Sequence, residues 1–295
     1  VSPDTLSDII KIVAPFVSNP TKIFTPKSGT ANYAGISWAA ELAEATGKEK
    51  YVNLLVMTAG KFTENAEDGP ISYPLDPDVR VEDIFFASLV LGKAFKRTGN
   101  ERYAKVLKNF LIACDTQQDM GLWWHCHQSP FFWGRGNAFA ALGFAEALTY
   151  LPDNLPERDQ LLASHLHHLE ALKNFQDETG MWHQVINKSD SYLEHSATTM
   201  IGSAIARGVR LGWLDKHWIK ILDKIWEGVI SRTDLKGNLN QVCTGTGPQS
   251  DVESYLKRPF SNGRDDRGGS MTLLFVTELL LLSTNETAKP SSLQS

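Results

Sequence analysis

An all-α ring of helical hairpins is the fold class this sequence predicts, and three observations predict it. Helical periodicity runs through nearly the whole chain, with no convincing long strand. A helix–glycine–helix signature occurs twice. A glycine-centred aromatic segment recurs with Gly121, Gly180 and Gly237 at spacings of 59 and 57 residues.

The elements follow in order. Ser2-Pro3-Asp4 is a helix start signal, and Leu6, Ile9, Ile10 and Val13 then fall on one face of a helix over 5–18. Further helices are expected over 32–46, 49–62, 82–97, 101–117, 135–150, 157–176, 194–212, 216–232 and 269–284. Glu44-Ala45-Thr46-Gly47-Lys48-Glu49-Lys50-Tyr51 parallels Lys96-Arg97-Thr98-Gly99-Asn100-Glu101-Arg102-Tyr103. In each, a helix ends at the residue type that tolerates a left-handed cap, and another begins. The longer repeat reads Gly121-Leu122-Trp123-Trp124-His125, then Gly180-Met181-Trp182-His183, then a weaker Gly237-Asn238-Leu239. Each copy follows one long helix and is expected to precede another. Such a period implies stacked supersecondary units. A solenoid needs polar capping ends, whereas the last helix here is among the most apolar, so closure into a ring is expected. A single toroidal domain over 1–295 is expected, with 285–295 as a flexible tail.

The totals narrow the function. A net charge of −5 without a long basic run argues against nucleic acid. The run Met271–Leu282 holds Thr272, Thr277 and Glu278 and is too short and polar to span a bilayer. Cys114, Cys126 and Cys243 show no disulfide framework and mildly favour a reducing compartment. A cytoplasmic or periplasmic location follows, with a slight preference for the cytoplasm, as monomer or homodimer. The chain opens without Met and without a secretory leader, which reads as a processed form.

The candidate chemistry begins at Asp83, in Val81-Glu82-Asp83-Ile84-Phe85-Phe86-Ala87. Glu82 fits the ordinary role of an acid complementing a helix dipole. Asp83 fits it less well, because its neighbours are apolar. A carboxyl among aromatics is desolvated and its pKa rises, which suits a general acid near neutral pH. In Trp133-Gly134-Arg135-Gly136-Asn137, the glycines permit close approach of a ligand. Arg135 offers a planar fork for a carboxylate, and Asn137 can orient a hydroxyl or water. The alternative is a tight loop whose arginine pairs with a structural acid. Trp123, Trp124, His125, Trp182 and His183 would share one rim, where aromatic faces stack on sugar rings, unless they merely plug the ends of the core. His125, Cys126 and His127 are weak as a metal set, so no metal is expected. Glu194-His195-Ser196-Ala197-Thr198-Thr199 opens another helix, with Ser196 or Thr198 as its cap and Glu194 facing either the cleft or the first turn. Arg264-Asp265-Asp266-Arg267 reads as an internal salt-bridge cluster more than an anion site.

Taken in order, five motifs resemble the unsaturated uronyl hydrolases of glycoside hydrolase families 88 and 105, nearest the rhamnogalacturonyl type. They are Asp83 before an apolar stretch and Thr98-Gly99-x-x-x-Tyr103; Gly121-Leu122-Trp123-Trp124-His125; Trp133-Gly134-Arg135-Gly136-Asn137; Gly180-Met181-Trp182-His183-Gln184-Val185; and Glu194-His195-Ser196-Ala197-Thr198-Thr199-Met200. The similarity covers about residues 32–283. It implies an (α/α)6 barrel, with an N-terminal part shorter than the family's. The activity it implies is release of a 4,5-unsaturated uronic acid from the non-reducing end of lyase-generated oligosaccharides. Asp83 would protonate C4 and help water add at C5, with no cofactor. His125, Arg135, Asn137, Trp124, Trp133, Trp182, His183, Glu194 and Ser196 would serve substrate binding. Two features depart from the family. His127, Gln128 and Ser129 stand where an acid usually follows, and an earlier family Asp has no counterpart beyond Asn32. A sugar epimerase, an ordinary glycosidase and a non-catalytic carbohydrate-binding homologue are the competing readings; an epimerase would make His125 and His183 essential.

Overall fold

The computed structural model of the chain describes residues 2–20, 24–25, 28–64, 66 and 78–287. The chain divides into two compact units, one of 1–115 with 146–161, the other of 116–145 with 162–295.

The first unit carries α1 (Pro3–Ser18), α2 (Thr30–Ala34), α3 (Trp38–Thr46), α4 (Glu49–Thr63), α5 (Val81–Thr98) and α6 (Glu101–Ala113). Ser2 caps α1 by accepting the Thr5 N–H, as its start signal predicts. The expected helix over 32–46 is two pieces: α2 stops at Gly35 and α3 restarts at Trp38. The two glycine hairpins form as expected. Gly47 caps α3 at φ 65° and Gly99 caps α5 at φ 66°, and each donates its N–H to the preceding helical turn. α3 packs on α4, and α5 on α6.

The second unit is built around α9 (His195–Leu211). Every residue from His195 to Gly208 is buried, so α9 is covered on all sides. It packs against α12 (Asp266–Thr287) and α10 (Ile219–Ser231). A Cβ at Gly202 would lie 2.6 Å from the Phe275 ring, so the missing side chain sets how closely α9 and α12 approach. Arg207 and Arg210 of α9 both grip Glu278 of α12 at 2.7 Å, which explains a charge inside the apolar run Met271–Leu282. α12 continues to Thr287, into the stretch expected as a tail; residues 288–295 lie outside the described residues. The remaining helices are α7 (Gly134–Tyr150) and α8 (Arg158–Asn174), which both units share, and the short α11 (Val252–Leu256).

The glycine-aromatic repeat is one turn used three times. Gly121, Gly180 and Gly237 all hold left-handed φ, at 92°, 84° and 78°. Their N–H groups donate to the carbonyls of Gln118, Asp177 and Asp234 respectively, each three residues back. Gln118, Asp177 and Asp234 in turn donate to the carbonyls of Leu122, Met181 and Asn238. The first two copies share more: the Gln117 and Gln176 amides reach the Gly121 and Gly180 carbonyls at 3.1 and 3.0 Å. The third copy leads not into a helix but into β1 (Leu239–Cys243), which pairs antiparallel with β2 (Phe260–Gly263). A register break between Leu239 and Val242 puts Gln241 at φ 58°. These strands are too short for alternation to have revealed them in the sequence.

Candidate active site

In the first unit, the N-terminus of α5 holds Asp83, which is 2% exposed. Its Oδ1 accepts the Thr30 hydroxyl at 2.5 Å, and its Oδ2 accepts the Arg80 N–H at 3.1 Å. The second contact is half of a capping box, so Asp83 does serve its helix N-terminus. Asp83, expected to fit that role less well than Glu82, thus fills it as well. Burial pushes the Asp83 carboxyl up to about 7, and the Glu82 charge adds to the rise while the Thr30 and Arg80 contacts oppose it. Buried Val81, Ile84 and Phe85 supply the apolar setting. The result is a carboxyl group that is partly protonated at neutral pH. Thr30 is the partner that motif reading passed over, since nothing in its local sequence links it to a residue 53 positions away. Asn32 turns to its own backbone, accepting the Gly29 N–H at 3.1 Å.

The second unit gathers the other expected residues around α7 and α9. Trp133 is buried, and its ring lies 4.7 Å from that of His125 and 5.0 Å from the Arg135 guanidinium carbon. Its indole N–H meets no acceptor among the described residues. Arg135 is buried and pairs with no acid among the described residues. It donates to the Cys243 carbonyl at 2.5 Å, the Thr244 carbonyl at 2.6 Å and Ser196 Oγ at 3.4 Å. These contacts use three of its five N–H donors. Arg135, Phe139, Ser196, Met200 and Arg267 line a cavity of about 230 Å³.

Glu194 is fully buried as the N-cap of α9. Its carboxylate accepts the N–H groups of Ser196, Ala197 and Cys243, at 3.1, 2.6 and 2.9 Å, and the Ser196 hydroxyl at 2.9 Å. The capping expected of Ser196 or Thr198 therefore falls to Glu194. Thr198 Oγ1 instead accepts the Trp182 N–H at 3.1 Å.

Three other expectations are redirected. Asn137 was expected to orient a hydroxyl or water. Its Oδ1 accepts the Trp123 N–H at 2.9 Å, and its Nδ2 donates to the Trp123 and Trp133 carbonyls at 3.0 and 3.1 Å. Its amide is spent on positioning two tryptophan backbones. Trp182, expected on a substrate rim, is fully buried, with its indole N–H on the Leu172 carbonyl at 2.7 Å. Trp123 is likewise buried, 5.7 Å from Phe144. Both plug the core. His183 is half-buried; its Nδ1 meets the Ser191 carbonyl at 2.6 Å and its Nε2 lies 3.6 Å from Asp177. Trp124 is half-buried and His127 exposed. Asp265 carries its own cluster, taking the Arg267 guanidinium at 3.1 Å and the Ser261 hydroxyl at 2.8 Å. Despite the opposing effect of partial burial, these contacts hold its carboxyl at about 2.

One functional candidate escaped motif reading. Tyr255 of α11 is buried, and its hydroxyl touches His125 Nδ1 and lies 2.7 Å from Ser129 Oγ. It sits 130 residues from His125 in a segment without any motif, so no local signal pointed to it.

The fold defines a class: a mostly helical protein of the (α/α)6-barrel type, which here carries a buried carboxyl group with a raised pKa. A structure from Salmonella enterica, described as a possible member of the GH105 family, superposes with a TM-score of 0.82 at 23% identity, covering 94% of this chain and 78% of that one. The profile of Glycosyl Hydrolase Family 88 matches residues 81–282, and the chain belongs to that family. It is 30% identical over 154 residues to the unsaturated rhamnogalacturonyl hydrolase YesR of Bacillus subtilis, a match covering 52% of this chain and 43% of that protein. It is 30% identical over 129 residues to the unsaturated 3S-rhamnoglycuronyl hydrolase of an Alteromonas species, covering 42% of this chain and 31% of that one. The chain thus spans less than half the length of these curated relatives.

Proposed function

We propose that this protein removes a 4,5-unsaturated uronic acid from the non-reducing end of oligosaccharides left by polysaccharide lyases, with Asp83 as the proton-transfer residue. The observation that carries the reading is the Asp83 carboxyl, buried and raised to about 7. Hydration of an enol ether needs an acid that still holds its proton near neutrality and then accepts one back, and such a group populates both forms. The names of the two relatives support an unsaturated uronide as the substrate class.

The step balances as the addition of one water. Asp83 delivers its proton to C4, and water bonds to C5. The Asp83 carboxylate takes a proton from that water. The hemiketal at C5 opens to a ketone, which leaves C1 as a hemiacetal that expels the aglycone as an alcohol. Arg135, with donors remaining beyond its backbone contacts, is assigned to the uronate. Trp124 and Trp133 are assigned to the sugar ring, and His125 to a hydroxyl. Glu194 and Ser196 hold Arg135 and the Cys243 backbone in position.

The conjugated double bond absorbs in the ultraviolet, so its loss is the assay. Lyase digests of pectin, ulvan and glycosaminoglycans are incubated with the wild type and with Asp83→Asn. Loss of absorbance with the wild type on at least one digest, abolished in the variant, is the expected result. Absorbance unchanged by the wild type on every digest would sink the reading and favour a carbohydrate-binding role.

A further inference from the structure

One side-chain amide in the second unit ties together the two segments that carry most of the candidate binding residues. Asn137, fully buried, accepts the Trp123 N–H on Oδ1 at 2.9 Å and donates through Nδ2 to the Trp123 carbonyl at 3.0 Å and the Trp133 carbonyl at 3.1 Å. It thereby clamps both backbone groups of Trp123, beside Trp124 and His125, to the start of α7, where Trp133 and Arg135 stand. Both Nδ2 protons are spent on carbonyls. Turning the amide over would set its oxygen against those two carbonyls and its nitrogen against an N–H, so its orientation is fixed. The second lone pair of Oδ1 serves α8, where His168 Nε2 lies 3.2 Å away. An amide oxygen only accepts, so this contact requires a proton on Nε2. His168 is itself fully buried, and its Nδ1 meets no partner among the described residues. Burial, with the His165 and His167 charges adding, holds the ring well below its ordinary value, so it is neutral and has one proton to place. On Nδ1 that proton would find no acceptor, and Nε2 would turn a lone pair toward Oδ1. The Trp123 ring packs edge-on against the imidazole, with centroids 6.3 Å apart at 80°.

We infer that His168 is a positioning residue for the candidate binding residues: locked as its Nε2–H tautomer, it completes the Asn137 amide that joins the Trp123 and Trp133 segments. Each group acts through the next. His168 fixes Asn137, and Asn137 fixes the Trp133 carbonyl. The Trp133 ring then lies 4.7 Å from that of His125 and 5.0 Å from the Arg135 guanidinium carbon. Without the imidazole N–H, a buried Oδ1 lone pair is left unsatisfied, where water does not readily replace the missing partner. The amide then tilts toward its remaining donor, and the two tryptophan segments shift with it. The effect on substrate binding rests on the uronide reading above; the tautomer and its coupling to His125 do not.

The test uses the full chain labelled with ¹⁵N-histidine, near pH 8, where an ordinary imidazole is neutral. The eight histidines give separate ring signals, and those of His168 and His125 are assigned by their disappearance in His168→Gln and His125→Gln. Long-range proton–nitrogen correlation then reads which nitrogen carries the proton. The wild type is expected to show Nε2–H at His168. His168→Phe keeps a ring and removes the donor, while His168→Gln supplies an amide N–H in its place. The His125 ring signals are expected to shift in His168→Phe and to return toward the wild-type positions in His168→Gln. KM for an unsaturated uronyl disaccharide should rise about tenfold in His168→Phe, the scale of one hydrogen bond, and recover in His168→Gln, with kcat changing far less. Nδ1–H in the wild type would overturn the inference, as would His125 signals unmoved in His168→Phe or a shift that His168→Gln fails to reverse. A fall in kcat at constant KM would mean that His168 supports the fold alone, and would overturn its part in binding. Should His168→Phe not fold, the smaller His168→Leu takes its place in the same comparison. If the wild type turned over no uronide, the proposed function would fail while the nitrogen spectra still decided the tautomer and its coupling to His125.

Discussion

Asp83 is held by opposing forces, and each can be removed singly. Burial raises its pKa and the Thr30 hydroxyl lowers it, because that hydroxyl donates to the charged form. Thr30→Val removes the donor at nearly constant volume. The pKa should then climb above about 7, and the alkaline limb of the kcat/KM profile should move to higher pH. A limb that stays put, or moves down, would show that another group sets it. The same carboxyl carries a stability cost with a defined sign. Its folded pKa is raised, so the folded state holds the extra proton between about 4 and about 7 and loses relative stability as pH rises through that window. Asp83→Asn should therefore be more stable than the wild type above neutral pH, by on the order of a few kcal/mol, and show little difference near pH 4. Chemical denaturation at the two pH values checks this.

At the scale of elements, the repeat turns and the α9–α12 contact are the places where a single change should matter most. Gly180 sits at φ 84°, and a Cβ there would lie 2.0 Å from the Lys224 carbonyl oxygen of α10. Gly180→Ala therefore adds backbone strain to a clash with main chain that cannot swing aside. A loss of about 3 kcal/mol or more is expected, seen as a clear fall in melting temperature. Gly47 is the control: its φ is 65° but nothing lies within 4 Å, so Gly47→Ala should cost only about 1 kcal/mol. Glu278 joins α12 to two arginines of α9. Glu278→Gln removes the charge that Arg207 and Arg210 share at Glu278 and should cost about 3–5 kcal/mol. A urea midpoint unchanged by the substitution would mean the triad is electrostatically idle.

Across the whole molecule, acid sensitivity should come largely from two histidines of α8. Burial holds the His165 imidazole down at about 3 and pushes His168 well below its ordinary value. The unfolded chain binds protons at both sites near pH 6.5, so stability is present above that value and is lost as pH falls toward 3. His165 stacks on Phe144, with ring centroids 6.1 Å apart, and neither of its nitrogens meets a partner among the described residues. His165→Phe should thus raise the melting temperature at pH 5 more than at pH 8. An equal shift at both values would mean that only packing had changed.

Much of this protein is legible from sequence because the signals are local. A left-handed glycine announces its own turn, and the three-fold spacing of Gly121, Gly180 and Gly237 follows from one turn reused. An acid flanked by Ile84 and Phe85 announces desolvation before any coordinates are known. Which polar groups meet across long separations is decided only by tertiary packing. Thr30 finds Asp83 and Tyr255 finds His125 because the folded chain brings them together, and neither carries a pattern of its own. The same physics assigns Asn137 and Trp182 to the interior: a motif fixes residue type and spacing, but burial and available partners determine whether the side chain meets a ligand or its own fold.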